Sequence, residues 1–195
     1  GDRVSVILPL YQSVADAWRD RLHFERYTYV RLAWRSLYCG LFSYERQGVT
    51  WYFVDNEQYF KRPELYGYYD DGERFAYFSK AVMAALYFLD FKPDILHCHD
   101  WQAAMTPAYL RALYHDWCPQ TKLVFTIHNV EYQGKYGPET VEDLFGLNRG
   151  WYDGGILRMD GCVNLMKGAM LTANAVTTVS PTYAAQLHDP AYACG

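Results

Sequence analysis

The sequence predicts an α/β fold, a parallel sheet with helices on both faces, and three observations carry that expectation. First, from residue 71 onward helical and strand patterns alternate three times, the order that builds parallel sheets. Second, the strand candidates are short apolar runs, Val4 to Leu8, Ile95 to Cys98, Lys122 to Ile127 and Ala175 to Val179, as strands buried in a sheet require. Third, His, Asp and Asn gather just after two of those runs, where ligands bind in parallel sheets.

Each element follows in order. Val4 to Leu8 is a buried strand closed by Pro9, and residues 12–23 read as a loop or short helix. Tyr27 to Ala33 and Val49 to Val54 are rich in β-branched and aromatic residues and predict strands, with a third over Leu37 to Glu45. Gln47-Gly48 supplies a turn. This section suggests an antiparallel excursion. Residues 55–72 carry Asp, Asn, Pro and Gly and predict a surface loop. Phe75, Phe78, Val82, Leu86 and Leu89 then recur at helical spacing. After the strand at Ile95 come a helix over Trp101 to Tyr114 and the strand ending at Ile127. Residues 134–161 read as loop with a short helix near Val141 to Phe145. A helix over Val163 to Leu171, the strand at Ala175, and a last helix capped by Ser180-Pro-Thr complete the pattern.

Composition narrows the function classes. The chain has 195 residues, 51% hydrophobic and 21% charged, which fits one globular domain. Its net charge of −4 and lack of a Lys/Arg block disfavour a nucleic-acid surface. The longest apolar run, Ala81 to Leu89, is too short for a bilayer span. Five scattered cysteines, Cys39, Cys98, Cys118, Cys162 and Cys194, do not form a secreted disulfide framework, so a cytoplasmic protein is expected. The aromatic share of 18%, with 19 Tyr, stands out, because rings stack on sugar faces as readily as they fill cores. The chain also looks cut at both ends: it opens directly on a strand and stops at Ala193-Cys194-Gly195.

The candidate chemistry lies in His97-Cys98-His99-Asp100-Trp101 and Thr126-Ile127-His128-Asn129, at successive strand ends that can open into one cleft. His97 and His99 admit a structural role, hydrogen-bonded to nearby backbone. His-x-His on one strand face also admits a metal site, although no further set of ligand spacing follows. Gly154-Gly155, ahead of a helix that carries Lys167, is a weak phosphate cradle; loop geometry and a solvated Lys explain it equally.

Taken together, Pro93-Asp-Ile-Leu-His-Cys-His-Asp-Trp-Gln-Ala103, Phe125-Thr-Ile-His-Asn-Val-Glu-Tyr-Gln-Gly134, Asn164-Leu-Met-Lys-Gly168 and Thr177-Thr-Val-Ser-Pro-Thr-Tyr183, preceded by Gly72-Glu-Arg-Phe-Ala-Tyr-Phe-Ser79, resemble the bacterial glycogen synthase and plant starch synthase family. The resemblance runs from about residue 3 to the end. It implies a Rossmann-like domain, the N-terminal, acceptor-side half of a GT-B glycosyltransferase. The parent enzyme would transfer glucose from ADP-glucose to the non-reducing end of an α-1,4-glucan with retention of configuration. The nucleotide-sugar is a substrate, and no cofactor or metal is implied. By position, Asp100 and His128 correspond to catalytic-cleft residues and Asn164 to a cleft-lining one; Asn129, Tyr77 and Lys167 are further substrate-binding candidates, with Tyr77 open between the acceptor path and the core.

The departures set further expectations. Family members open with a strand and a Lys-Thr-Gly-Gly loop for the donor diphosphate, and this chain has neither. Residues 1–195 therefore read as a single incomplete domain, lacking its first strand and without the C-terminal donor domain. Turnover by this polypeptide alone is not expected. A missing strand would leave a gap in the sheet, inviting self-association or another segment. The rival readings are a metal-dependent hydrolase using His97, His99, Asp100 and His128, a non-catalytic glucan-binding module, and another GT-B enzyme such as sucrose synthase. A plastid location replaces the cytoplasm if the source is a plant.

Overall fold

The computed structural model describes residues 1–189. Cys194 and the final residues lie outside them. Two sheets and a small third one are joined through a helical layer. The first sheet is an excursion from strand to hairpin. Strand β1 (Val4–Pro9) leads through helix α1 (Gln12–Trp18) to β2 (His23–Leu32), β3 (Arg35–Arg46) and β4 (Val49–Asp55). The order is β1-β4-β3-β2, with β1 parallel to β4 and the rest antiparallel. The turn at Gln47-Gly48 takes φ of 54° and 78°, the pair of positive values that matches the twist of a two-residue hairpin. Phe24 packs edge-on against Phe42 across β2 and β3, with ring centres 5.2 Å apart.

Residues 56–72 depart from the surface loop expected there. Asn56 accepts a hydrogen bond from the Tyr59 amide and caps a one-turn helix, α2 (Glu57–Phe60), which drives Tyr59 and Phe60 into the core. The polar residues of the stretch concealed two buried aromatics. Helix α3 (Asp71–Phe88) follows as its periodicity predicts and is buried along most of its length. It carries an unexpected charge into the core: Arg74, 0% exposed, donates to the Asp71 carboxylate and, over 2.8 Å, to the Tyr59 carbonyl.

The second sheet is all parallel, in the order β10-β6-β5: β5 (Ile95–His99), β6 (Lys122–Ile127) and β10 (Ala175–Thr178). Between β5 and β6 the expected helix is broken. A turn at Trp101–Ala103 passes into α4 (Met105–Tyr109) and a wider π turn at Leu110–Tyr114. The small sheet joins β7 (Lys135–Tyr136) and β8 (Arg158–Met159) to β9 (Cys162–Asn164), with α5 (Thr140–Asp143) and α6 (Gly150–Asp153) between them. Helix α7 (Leu165–Thr172) starts two residues later than its apolar pattern suggests, because Val163 and Asn164 pair in β9. Helix α8 (Pro181–Leu187) is capped by the Ser180 hydroxyl, which accepts from the Tyr183 amide.

Alternation along β5 and β6 sorts their side chains. Cys98, Leu123, Phe125 and Ile127 point into the core shared with α3, α4 and α7. His97, His99 and Ile95 occupy the opposite, exposed face. The two sheets do not pair with each other. The outer edges of β1 and β5 have no strand partner among the described residues, and a cavity of about 210 Å³ lies between them, lined by Ile7, Leu8, Leu96 and Cys98 and closed by Phe75 and Phe78 of α3.

Candidate active site

The site is assembled where β5 and β6 end. The register places His99 beside Thr126 and Asp100 therefore beside Ile127, so Asp100 and His128 leave the sheet one residue apart at the same end. The Asp100 amide donates to the Thr126 carbonyl over 3.0 Å, extending the pairing by one bond. Its own backbone then turns sharply, with φ 55° and ψ −179°, a region that is nearly restricted to glycine. A turn of this kind costs about 1–3 kcal/mol and survives only where surrounding contacts enforce it. Those contacts are visible. Asp100 Oδ1 accepts from the amides of His128, at 2.8 Å, and Asn129, at 3.3 Å. One carboxylate oxygen thus clamps the first loop residues after β6.

The imidazoles form a second layer. His99 Nδ1 and His128 Nε2 share a hydrogen bond of 3.0 Å, and the rings of His97 and His99 lie 4.2 Å apart. His97 Nε2 is 2.6 Å from the Thr126 hydroxyl, which meets the Thr177 hydroxyl at 2.7 Å. His97 is tied into the sheet, though through the Thr126 hydroxyl rather than through the backbone. Burial pushes the His99 ring below the ordinary imidazole range, and the neighbouring His97 and His128 add to that, so its neutral form is favoured. With His97 and His99 engaged this way, and no cluster of three or more metal-binding side chains among the described residues, the metal-hydrolase reading has no support.

The loop after β6 is fixed at several points. Asn129 Oδ1 accepts from the Glu131 amide, and the Val130 amide donates to the Tyr183 hydroxyl over 2.9 Å. Gly134, at φ 65°, lies so close to Trp101 that a Cβ would collide with it at 2.9 Å and crowd Leu165 at 3.2 Å. The Leu165 and Met166 amides donate to the Gly134 and Gln133 carbonyls. The motif of β5, the motif of β6 and the start of α7 are therefore one connected structure.

The remaining candidates stand apart from the carboxylate and imidazole. Tyr77 does not face a groove: it is 0% exposed, packs against Tyr59, and its hydroxyl donates to the Tyr38 carbonyl over 2.6 Å. Its position on the inward stripe of α3 decides this. Asn164, 1% exposed, caps α7 by accepting from the Lys167 amide and donates to Gln133 Oε1. Lys167 donates to the Arg158 carbonyl over 2.6 Å. Both residues line an open cavity of about 980 Å³ that also reaches Ile127 and Val130. Gly154 and Gly155 terminate α6, Gly155 at φ 85°, and form no anion cradle. Two contributors escaped the sequence reading. Tyr183, which holds the loop, sits in a legible Ser-Pro-Thr-Tyr stretch. His99 as the partner of His128 had no local signal.

A polar cluster past the carboxyl ends of adjacent parallel strands, one residue in strained backbone, is the place where α/β domains as a class bind their ligands. The comparisons make the assignment specific. Residues 1–195 match the family model described as the starch synthase catalytic domain, and the chain belongs to that family. It is 46% identical over 197 residues to a glycogen synthase of Lactobacillus acidophilus, covering 100% of this chain and 41% of the relative. It is 46% identical over 195 residues to one of Halalkalibacterium halodurans, covering 40% of that protein. Among solved structures, the catalytic domain of starch synthase IV from Arabidopsis thaliana, bound to ADP and acarbose, superposes with a TM-score of 0.87 at 30% identity, covering 100% of this chain and 41% of that one. The chain thus spans about 41% of the length of these proteins.

Proposed function

We propose that this chain is the acceptor-side domain of a retaining glucosyltransferase, which moves glucose from ADP-glucose to the non-reducing end of an α-1,4-glucan. The observation that carries the reading is the Asp100 carboxylate, held in strained backbone at the end of β5 and bonded to the His128 and Asn129 amides at the end of β6. Strain of this kind collects where a side chain must be aimed. A carboxylate there accepts from sugar hydroxyls, and the His128 ring donates to or accepts from a hydroxyl at the reacting end. Asn129 joins them at the mouth of the loop. Asn164 and Lys167 act one step back, by fixing the start of α7.

On this reading the donor is a substrate and the site needs no cofactor. Residues 1–195 form one domain whose partner is a donor-binding domain of the same longer chain, and closure of the cleft between the two completes the site. The ADP in the Arabidopsis structure supports an adenine nucleotide-sugar as donor. The unpaired cysteines Cys39, Cys98, Cys118 and Cys162 fit a reducing compartment, the cytoplasm or, in a plant, a plastid. The exposed edges of β1 and β5 make self-association of the isolated chain the expected behaviour.

The test is ADP release from ADP-glucose with glycogen present, on the full-length parent. Asp100→Asn and His128→Ala should each lower kcat by about a hundredfold or more. Rates within a few-fold of the unaltered enzyme would sink the site assignment. The 195-residue chain alone should not turn over, and turnover comparable to the parent would sink the domain assignment.

A further inference from the structure

We propose that His99 is a positioning residue that fixes the orientation and the proton of the His128 ring, so that His128 meets its ligand through Nδ1 as a hydrogen-bond acceptor. The use of that ring on a sugar hydroxyl rests on the function proposed above; the pairing itself does not.

The argument begins with the strands. His99 closes β5 on its exposed face, and the register with Thr126 brings the ring that follows β6 within reach. The bond joins Nδ1 of His99 to Nε2 of His128, at 3.0 Å. A neutral imidazole has one N–H and one lone pair, so one ring must donate and the other accept. Two doubly protonated rings offer no acceptor and repel. Isolated imidazoles favour the proton on Nε2. If both rings keep that form, His128 Nε2–H donates to the bare Nδ1 of His99, and the observed atoms pair with neither ring forced out of its preferred state. The reverse assignment puts both protons on Nδ1.

The surroundings favour a neutral acceptor in His99. Its neighbours are His97 on the same face of β5, 4.2 Å away between ring centres, and His128 beyond β6, 5.2 Å away. The carboxylate of Asp100 does not turn back to pair with His99, since one of its oxygens is held by the amides of residues 128 and 129. His97 is itself tied to Thr126. His99 is therefore hemmed in and oriented, while the backbone of His128 is clamped by Asp100. The ring and the backbone of one residue are fixed by two consecutive residues of the neighbouring strand end. With Nε2 spent on His99, Nδ1 is the ring atom left to receive a hydroxyl proton.

The experiment reads the ring nitrogens directly. Long-range ¹H–¹⁵N spectra of the uniformly labelled full-length parent at pH 7.5 distinguish protonated from bare nitrogens. His128 should show a protonated Nε2 and a bare Nδ1. His99→Phe should collapse that pattern toward a tautomer average. His99→Asn, whose amide oxygen reaches the place of Nδ1, should restore it, whereas His99→Gln, which reaches past it, should not. Backbone amide spectra of the same samples report whether each variant is folded. A folded His99→Phe chain with unchanged His128 nitrogens overturns the proposal, as does a protonated Nδ1 on His128 in the unaltered chain. In the full-length parent, His99→Phe should lower kcat about tenfold with Asn rescuing. Should the tautomer respond while His128→Ala leaves kcat intact, the pairing stands and the proposed function fails.

Discussion

The two main sheets of this molecule solve different problems. The first is built around a hairpin whose strands are neighbours in sequence, joined by two-residue turns and braced by cross-strand aromatic pairs. Apart from β1, which pairs parallel with β4, its partners are local, and outside the turns its ladder slips register between Phe24 and Arg26. The second is parallel, so every pairing spans a crossover, and its inner face is stable only because α3, α4 and α7 cover it. It is also where the strained residue lies, at Asp100. Local pairing makes a scaffold, while non-local pairing places groups from distant parts of the chain at one end of the sheet. The candidate chemistry gathers on the second sheet, where the carboxyl ends of β5 and β6 carry Asp100 and His128.

The largest expected effect breaks the helix that serves both sheets. Arg74→Met removes the cation from a fully buried pair and leaves Asp71 facing the core, still accepting from the Gly67 and Tyr68 amides. Loss of one partner of such a pair costs about 3–5 kcal/mol. Urea unfolding should show the loss, and a midpoint within error of the unaltered chain would refute the burial argument. Asp100→Gly tests the second sheet alone. Glycine accepts the backbone turn that Asp resists, which offsets the lost clamp, so stability should change by less than about 1 kcal/mol. In the full-length parent the same change should abolish glucosyl transfer. A large loss of stability would mean that the carboxylate is structural.

Lys80, on α3, bears on the layer between the sheets. Its ammonium sits 4.7 Å from the centre of the Tyr109 ring, and burial lowers its pKa to about 8. A cation depressed in the folded state costs stability while it is protonated, and the cost is relieved as pH rises from about 8 toward the unfolded value near 10.4. Lys80→Met should therefore gain roughly 1 kcal/mol at pH 7, discounted for partial exposure, and less at pH 9.5. Denaturant midpoints at the two pH values check the sign, which an equal gain at both would contradict. The smallest effect belongs to the hairpin: Gln47→Asn, at φ 54°, should add about 0.5 kcal/mol to stability, read by thermal unfolding.

The contrast also sorts what was legible. Strands β5, β6 and β10, helix α3 and the cap at Ser180 could be placed to within a residue or two, because apolar periodicity and capping are local signals. The stretch after Asp55 misled, since the polar residues around α2 masked the inward turn of Tyr59 and Phe60. The candidates Asp100, His128 and Asn129 are legible from their place after strands, and the fold brings them together. The sequence leaves Tyr77 open between the acceptor path and the core, and the inward stripe of its helix places it in the core.

By itself the sequence determined which segments form strands and helices, that the sheet is partly parallel, and which strand ends carry polar groups. Those properties reside in neighbouring residues and their spacing. Only the tertiary structure decided that Asp100 holds the amides of residues 128 and 129, that His99 faces the His128 ring, and that Arg74 is buried with Asp71. The first two depend on the register between strands separated by a helical crossover, and the third on where a helix lies in the core. No local pattern encodes a register, because it is set by how the whole inner face packs.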